Sequence, residues 1–154
     1  MAQFHRAHST STILVIDADA LMLAAVGGVL DMQGHQAILA RTEAIATQAL
    51  AEQAIDLIIL SIDQLDAGCH FAARLRAAED TAEIPIIFIV PELAQHWIAS
   101  LQEQGGVFCV LRSVEPHHLL DLVDKTLWMP HLARKRASPP AAHVSKTMDW
   151  IKLG

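Results

Sequence analysis

The chain has 154 residues, 53% of them hydrophobic and 18% charged, and its 11 basic and 17 acidic side chains give a formal net charge of −6. This apolar content excludes a disordered chain, and the acidic balance argues against nucleic-acid binding, which needs clustered Lys and Arg. No apolar run approaches the roughly 20 residues of a membrane span, and no secretory signal precedes Ile13. Cys69 and Cys109 make no disulfide framework, so we expect a thiol-reduced, cytoplasmic protein.

Five short apolar runs alternate with longer stretches of helical spacing. The predicted strands are 13–16, 36–40, 56–60, 84–90 and 107–111, and the predicted helices are 20–33, 42–53, 66–79, 91–104 and 116–128. Thr42 suits a helix cap, Pro91 a first helical turn, and Gly34 and Gly105 suit helix ends. Continuous apolar strands are typical of a parallel sheet covered on both faces.

This alternation predicts one α/β domain, a doubly wound (βα)5 flavodoxin-like fold with a five-stranded parallel sheet and right-handed crossovers. We expect a flexible N-terminus over 1–12, the domain over 13–129, and a tail or linker segment over 130–154. The tail carries a basic triplet and a Pro-rich linker, and then Trp150, Ile151 and Leu153. These three residues predict either a short docking segment or a frayed end.

Ligands of such sheets lie beyond the carboxyl ends of the strands. The runs 13–17, 56–60, 84–85 and 110–112, with the turn at Gly105, have the order and spacing of a known family. From residue 13 to about 127 the chain resembles the CheY-like receiver domains of response regulators. The resemblance implies signalling in a two-component or related pathway.

Receivers carry a phosphoacceptor aspartate after the third strand, two acids that hold Mg²⁺ after the first, a hydroxyl residue after the fourth and a lysine after the fifth. The resemblance places other residue types at most of these positions. The degenerate phosphoacceptor pocket that it implies consists of Asp17, Ala18, Asp19, Ser61, Asp63, Val90 and Arg112, with Cys109 at the aromatic switch position. A serine hydroxyl is a poor nucleophile without an activating base, and Val90 cannot donate to a phosphoryl oxygen.

Arg112 is expected to point its guanidinium at Asp17, together with Asp19 or Asp63, and to act as a built-in cation that locks one conformation. The alternative is an exposed arginine in a decayed pocket. A weak divalent site formed by the three aspartates is a further alternative, but we expect no metal and no cofactor. No histidine and cysteine spacing resembles a zinc site.

The first predicted helix has no charged residue from Ala20 to Leu30. Its sheet-facing stripe is expected to consist of Met22, Ala25, Val26, Val29 and Leu30. The opposite side is then a partner-binding or self-association surface formed by Ala20, Leu23, Ala24 and Gly27, unless the pattern reflects Ala-rich composition alone. Trp97 and Ile98 are expected in the core rather than at a dimer rim, and both cysteines are expected to be small buried or half-buried fillers.

No phosphate-binding glycine loop or nucleophile motif is present, so we expect no enzyme. The sequence predicts a stand-alone pseudo-receiver that acts through protein partners, as a monomer or homodimer, without nucleic acid or membrane. A response regulator with an atypical acceptor, or a small-molecule sensor that uses the same cleft, are the alternatives.

Overall fold

The computed structural model describes residues 10–128, apart from the side chains of residues 106 and 107. Most of the predicted N-terminal segment and the whole predicted tail lie outside the described residues. The elements are β1 (Thr12–Ile16), α1 (Ala20–Met32), β2 (Gln36–Ala40), α2 (Glu43–Glu52), β3 (Leu57–Ser61), α3 (Leu65–Ala77), β4 (Ile86–Val90), α4 (Gln95–Glu103), β5 (Gly106–Leu111) and α5 (Pro116–Trp128). Within residues 10–128 no helix combines the length and apolar character needed to span a membrane.

All strand pairs are parallel, and the strand order is β2-β1-β3-β4-β5. This order confirms the predicted doubly wound fold. The carboxyl ends of β1, β3, β4 and β5 therefore meet at one edge of the sheet, which is where such folds place their sites.

The core is divided by the sheet into two layers, because alternate side chains of a strand point to opposite faces. Every residue of β4 is buried. Ile86, Phe88 and Val90 pack with α2, α3 and α4, whereas Ile87 and Ile89 pack with α1 and α5. Trp97 and Ile98 are 7% and 5% exposed, which confirms the predicted core position.

The prediction that Pro91 opens a helix is wrong. Residues 91–94 stay outside the helix, and Ala94 is still extended, with φ −79° and ψ 146°. Leu93 and Ala94 pack against the core from this segment. The helix begins only where the Ala94 carbonyl accepts the backbone N–H groups of Trp97 and Ile98.

The predicted partner-binding face of α1 is wrong for two of its four residues. Leu23 is 4% exposed and Gly27 is buried, because this side of the helix faces the sheet. A Cβ atom at Gly27 would lie 3.1 Å from the Leu39 side chain of β2. Ala20 and Ala24 are exposed, and so is Ala25, which was expected in the sheet-facing stripe.

One half-buried arginine joins two loops at the amino edge of the sheet. The Arg76 guanidinium donates to the Ala82 and Ile84 carbonyls at 2.9 and 2.8 Å, and to the Gln104 and Gly105 carbonyls at 3.1 and 3.2 Å. Gly105 has φ +82°, and an added Cβ would lie 2.7 Å from Arg76 Nε. The turn before β5 is thus built around this guanidinium.

Candidate functional site

Asp17 is the centre of the predicted pocket. It follows β1 directly, and its side chain is 1% exposed. One carboxylate oxygen, Oδ1, accepts the backbone N–H of Asp19 at 2.9 Å. The other, Oδ2, accepts the Ser61 hydroxyl at 2.6 Å and Arg112 Nη1 at 3.2 Å. A carboxylate this deeply buried needs such partners, because an unpaired buried charge is costly.

Arg112 reaches this carboxylate from the loop after β5. Its backbone N–H donates to the Val90 carbonyl at 2.8 Å, which continues the pairing of β5 with β4 beyond the last strand residue. The guanidinium then extends to Asp17 with Nη1 and to Asp63 Oδ1 with Nη2, the latter at 2.8 Å. The predicted contact between Arg112 and Asp17 is therefore present.

Of the two predicted second partners of Arg112, the structure selects Asp63. Its side chain is 65% exposed, so this half of the bridge is open to water. Asp19 instead caps α1, because its Oδ1 accepts the Leu21 backbone N–H at 2.9 Å. Such a cap is worth about 1 kcal/mol.

The remaining predicted positions contribute little polar chemistry. Val90 is fully buried, and Cys109 is 3% exposed. Burial raises the pKa of the Cys109 thiol to about 12. Both cysteines are free thiols, one buried and one half-buried, as predicted. The Val90 side chain has no hydrogen-bonding group, and the Cys109 side chain is buried in the core.

Sequence reasoning missed Arg41. Its Nε and Nη2 donate to the Ala18 carbonyl at 3.4 and 3.3 Å. The signal was available, since Arg41 directly follows β2 and all parallel strands end at the same edge. A second guanidinium thus lies beside the loop that holds Asp17.

The pocket residues do not fit Mg²⁺. This ion needs several hard oxygen ligands, and both oxygens of the Asp17 carboxylate are already occupied by protein donors. Ala18 offers no side-chain oxygen, and the Ser61 hydroxyl is directed to Asp17. Among residues 10–128, no group of three or more His, Cys, Asp and Glu side chains is arranged to hold a metal ion.

Several solved structures with this architecture are response regulators or receiver domains. A response regulator from Thermotoga maritima is 23% identical, with a TM-score of 0.70 over 78% of this chain and 99% of that one. A CheY-like receiver domain protein from Methanospirillum hungatei is 17% identical, with a TM-score of 0.72 over 80% and 98%. A two-component response regulator from Clostridium difficile is 22% identical, with a TM-score of 0.71 over 78% and 98%.

At these identities the likeness shows a shared fold, which is the CheY-like fold. No protein-family model matches the chain, and no curated protein matches it. The fold therefore gives the class of architecture, and any argument about function must come from the pocket itself.

Proposed function

We propose that this chain is a receiver-like signalling protein that acts by protein–protein contact and is not switched by aspartyl phosphorylation. The observation that carries the proposal is the Arg112 guanidinium, which bridges Asp17 and Asp63 while the Ser61 hydroxyl also donates to Asp17. In this reading the protein is not an enzyme, and its partners belong to a two-component-type pathway.

Ser61 is poorly placed to attack phosphorus. Its hydroxyl proton is directed at Asp17, the nearest base, at 2.6 Å. Asp17 already accepts two further hydrogen bonds, so taking the serine proton would weaken its ion pair with Arg112. A nucleophilic serine needs a base that is free to take its proton. The geometry supports a structural hydrogen bond rather than an activated nucleophile.

The cations in and beside the pocket are engaged by protein groups and are therefore poorly suited to stabilise a transferring phosphoryl group. Such stabilisation comes from preorganised cations and hydrogen-bond donors aimed at the reacting oxygens. Arg112 shares the Asp17 carboxylate with Ser61 and is engaged by two carboxylates, and Arg41 donates to the Ala18 carbonyl. The resemblance to receivers places Val90 at the position of the residue that donates a hydrogen bond to the phosphoryl group, and the valine side chain has no hydrogen-bond donor.

Because Arg112 balances the charge of the buried Asp17 carboxylate from within the chain, this carboxylate needs neither a metal nor a phosphoryl group as its partner. Output then depends on which partner binds and in what amount. A homodimer is compatible with this proposal, and so is a monomer.

The test is incubation of the purified chain with acetyl phosphate and Mg²⁺, followed by intact mass and peptide mapping. A CheY-like receiver that retains its acceptor aspartate is treated in parallel as the positive control. We expect the control to gain a phosphoryl group and this chain to gain none. A hydroxylamine-labile adduct would overturn the proposal, and an acid-stable phosphate on Ser61 would favour an atypical acceptor.

A further inference from the structure

Helix α1 carries an exposed apolar face that is opposite to its buried side. The residues of this outer face of α1 recur at helical spacing: Leu21, Ala24, Ala25, Gly28 and Met32. Leu21 is 81% exposed and Met32 is 83% exposed. A helix that is apolar all round is normally buried on every side, so the outer face of α1 lacks a cover within residues 10–128.

We propose that residues 143–153 of this chain dock on the outer face of α1 of the same molecule. Val144, Met148 and Ile151 recur at intervals of four and three, which is the spacing of one helical face. If it forms a helix, this segment of 11 residues is about 16 Å long. The distance along α1 from Leu21 to Met32 is also about 16 Å. The two apolar faces therefore match in length and in kind.

The linker between helix α5 and residues 143–153 is long enough for docking on α1 of the same molecule. Helix α5 ends at Trp128 at the amino edge of the sheet, where Leu127 lines a groove with Ser11 and Ile55. Helix α1 ends at the same edge, and the two helices are packed side by side. Residues 129–142 lie between α5 and the proposed segment, and 14 residues can span up to about 45 Å. Neighbouring helices lie about 10 Å apart, so docking within one molecule requires no opening of the fold.

Charge favours the same occupant. Residues 10–128 carry five basic and sixteen acidic side chains, whereas residues 129–154 carry five basic and one acidic. The domain therefore has a net charge of −11 and the following segment one of +4. Asp31 borders the outer face of α1, and Asp124 lies on α5 beside His35, which follows α1. Lys146 and Lys152 in the proposed segment suit these carboxylates.

Disulfide trapping in the full chain tests the proposal. The background is Cys69→Ser, and Cys109 is retained because its buried thiol stays protonated. Gly28→Cys is combined with Met148→Cys, since Gly28 has open space around it. The matched control pair is Gln48→Cys with Met148→Cys, because Gln48 is exposed on α2, on the other face of the sheet.

Under mild oxidation of dilute protein, we expect the Gly28 pair to form an intramolecular disulfide at least tenfold faster than the Gln48 pair. Adding Leu21→Lys, an exposed substitution that leaves the core untouched and repels the basic segment, is expected to reduce the rate to that of the control. Equal rates for both pairs would overturn the proposal. A bridge that forms only between two chains would also overturn it and make a second copy the occupant.

Discussion

Arg112 neutralises a carboxylate that the fold has removed from water. Asp17 is 1% exposed, so the loss of its cation would leave a buried charge with only two neutral hydrogen-bond donors. Breaking a fully buried ion pair typically costs 3–5 kcal/mol. Arg112 is 32% exposed, and water can partly replace it, so the cost here should be smaller.

We therefore expect Arg112→Ala to lower the free energy of unfolding by about 2–3 kcal/mol at pH 7, measured by urea denaturation. The matched control is Arg74→Ala. The Arg74 side chain is 62% exposed, pairs with Glu43 at 2.8 Å and lies over the Phe71 ring. We expect Arg74→Ala to lower the free energy of unfolding by about 1 kcal/mol or less. Equal losses for the two variants would mean that Arg112 has no special role in the pocket.

The buried Cys109 thiol leads us to expect that the free energy of unfolding falls at alkaline pH. Its pKa is about 12 in the native state because the thiol is buried, against an ordinary value of 9.0. Between pH 9 and pH 12 the native state keeps a proton that the unfolded chain loses, so rising pH lowers stability by at most about 1.4 kcal/mol per pH unit. The Cys109→Ala substitution removes this contribution of the thiol to the pH dependence of stability.

The measurement compares Cys109→Ala with its parent, both in the Cys69→Ser background, by urea unfolding from pH 7 to pH 10.5. The stability advantage of the parent should narrow above pH 9. A constant difference across this range would show that the thiol has the same pKa in both states.

At the scale of elements, helix α3 and the loop after β3 depend on a glycine. Gly68 is buried, and an added Cβ would lie 2.6 Å from Ile62 Cδ1 and within 2.8 Å of two other atoms of that side chain. Ile62 directly follows Ser61, so the close approach of α3 helps to fix the pocket. A larger residue at position 68 must push Ile62 or the helix outward.

Gly68→Ala and Gly28→Ala form a matched pair of helical substitutions. Both gain about 1 kcal/mol from helix propensity. Within residues 10–128, no atom outside the helix backbone and the two chain neighbours of Gly28 lies within 4 Å of the added Cβ, so its gain should appear as increased stability. At Gly68 the overlap should outweigh the gain and leave a net loss of about 1–2 kcal/mol. Thermal unfolding measures both, and stabilisation by Gly68→Ala would contradict the packing described here.

At the scale of the whole molecule, the two core layers should unfold as one unit because they share the sheet. Ile86 and Ile87 are adjacent and fully buried, and they belong to opposite layers. We expect Ile86→Val and Ile87→Val each to cost about 1 kcal/mol, and the double variant to cost their sum. Coincident urea transitions by far-UV circular dichroism and by Trp97 fluorescence, in a Trp128→Phe and Trp150→Phe background, would check cooperativity. Separate transitions would indicate two independently unfolding layers.

The strand pattern made the fold predictable, because continuous apolar runs such as the one in β4 mark a sheet buried on both faces. The contact between Arg112 and Asp17 was predictable for a related reason, since parallel strands bring both residues to one edge. The orientation of α1 was not, because from Ala20 to Leu30 no polar residue marks its outer side. Nor could the Gln104 and Gly105 carbonyls around Arg76 be foreseen, since they lie 28 and 29 residues further along the chain.

A cation that is covalently part of the chain cannot be diluted, chelated or exchanged. The charge at Asp17 is balanced at a fixed stoichiometry of one guanidinium per molecule, whatever the divalent-ion content of the surroundings. We therefore expect the pocket to keep the same geometry in EDTA and in millimolar magnesium.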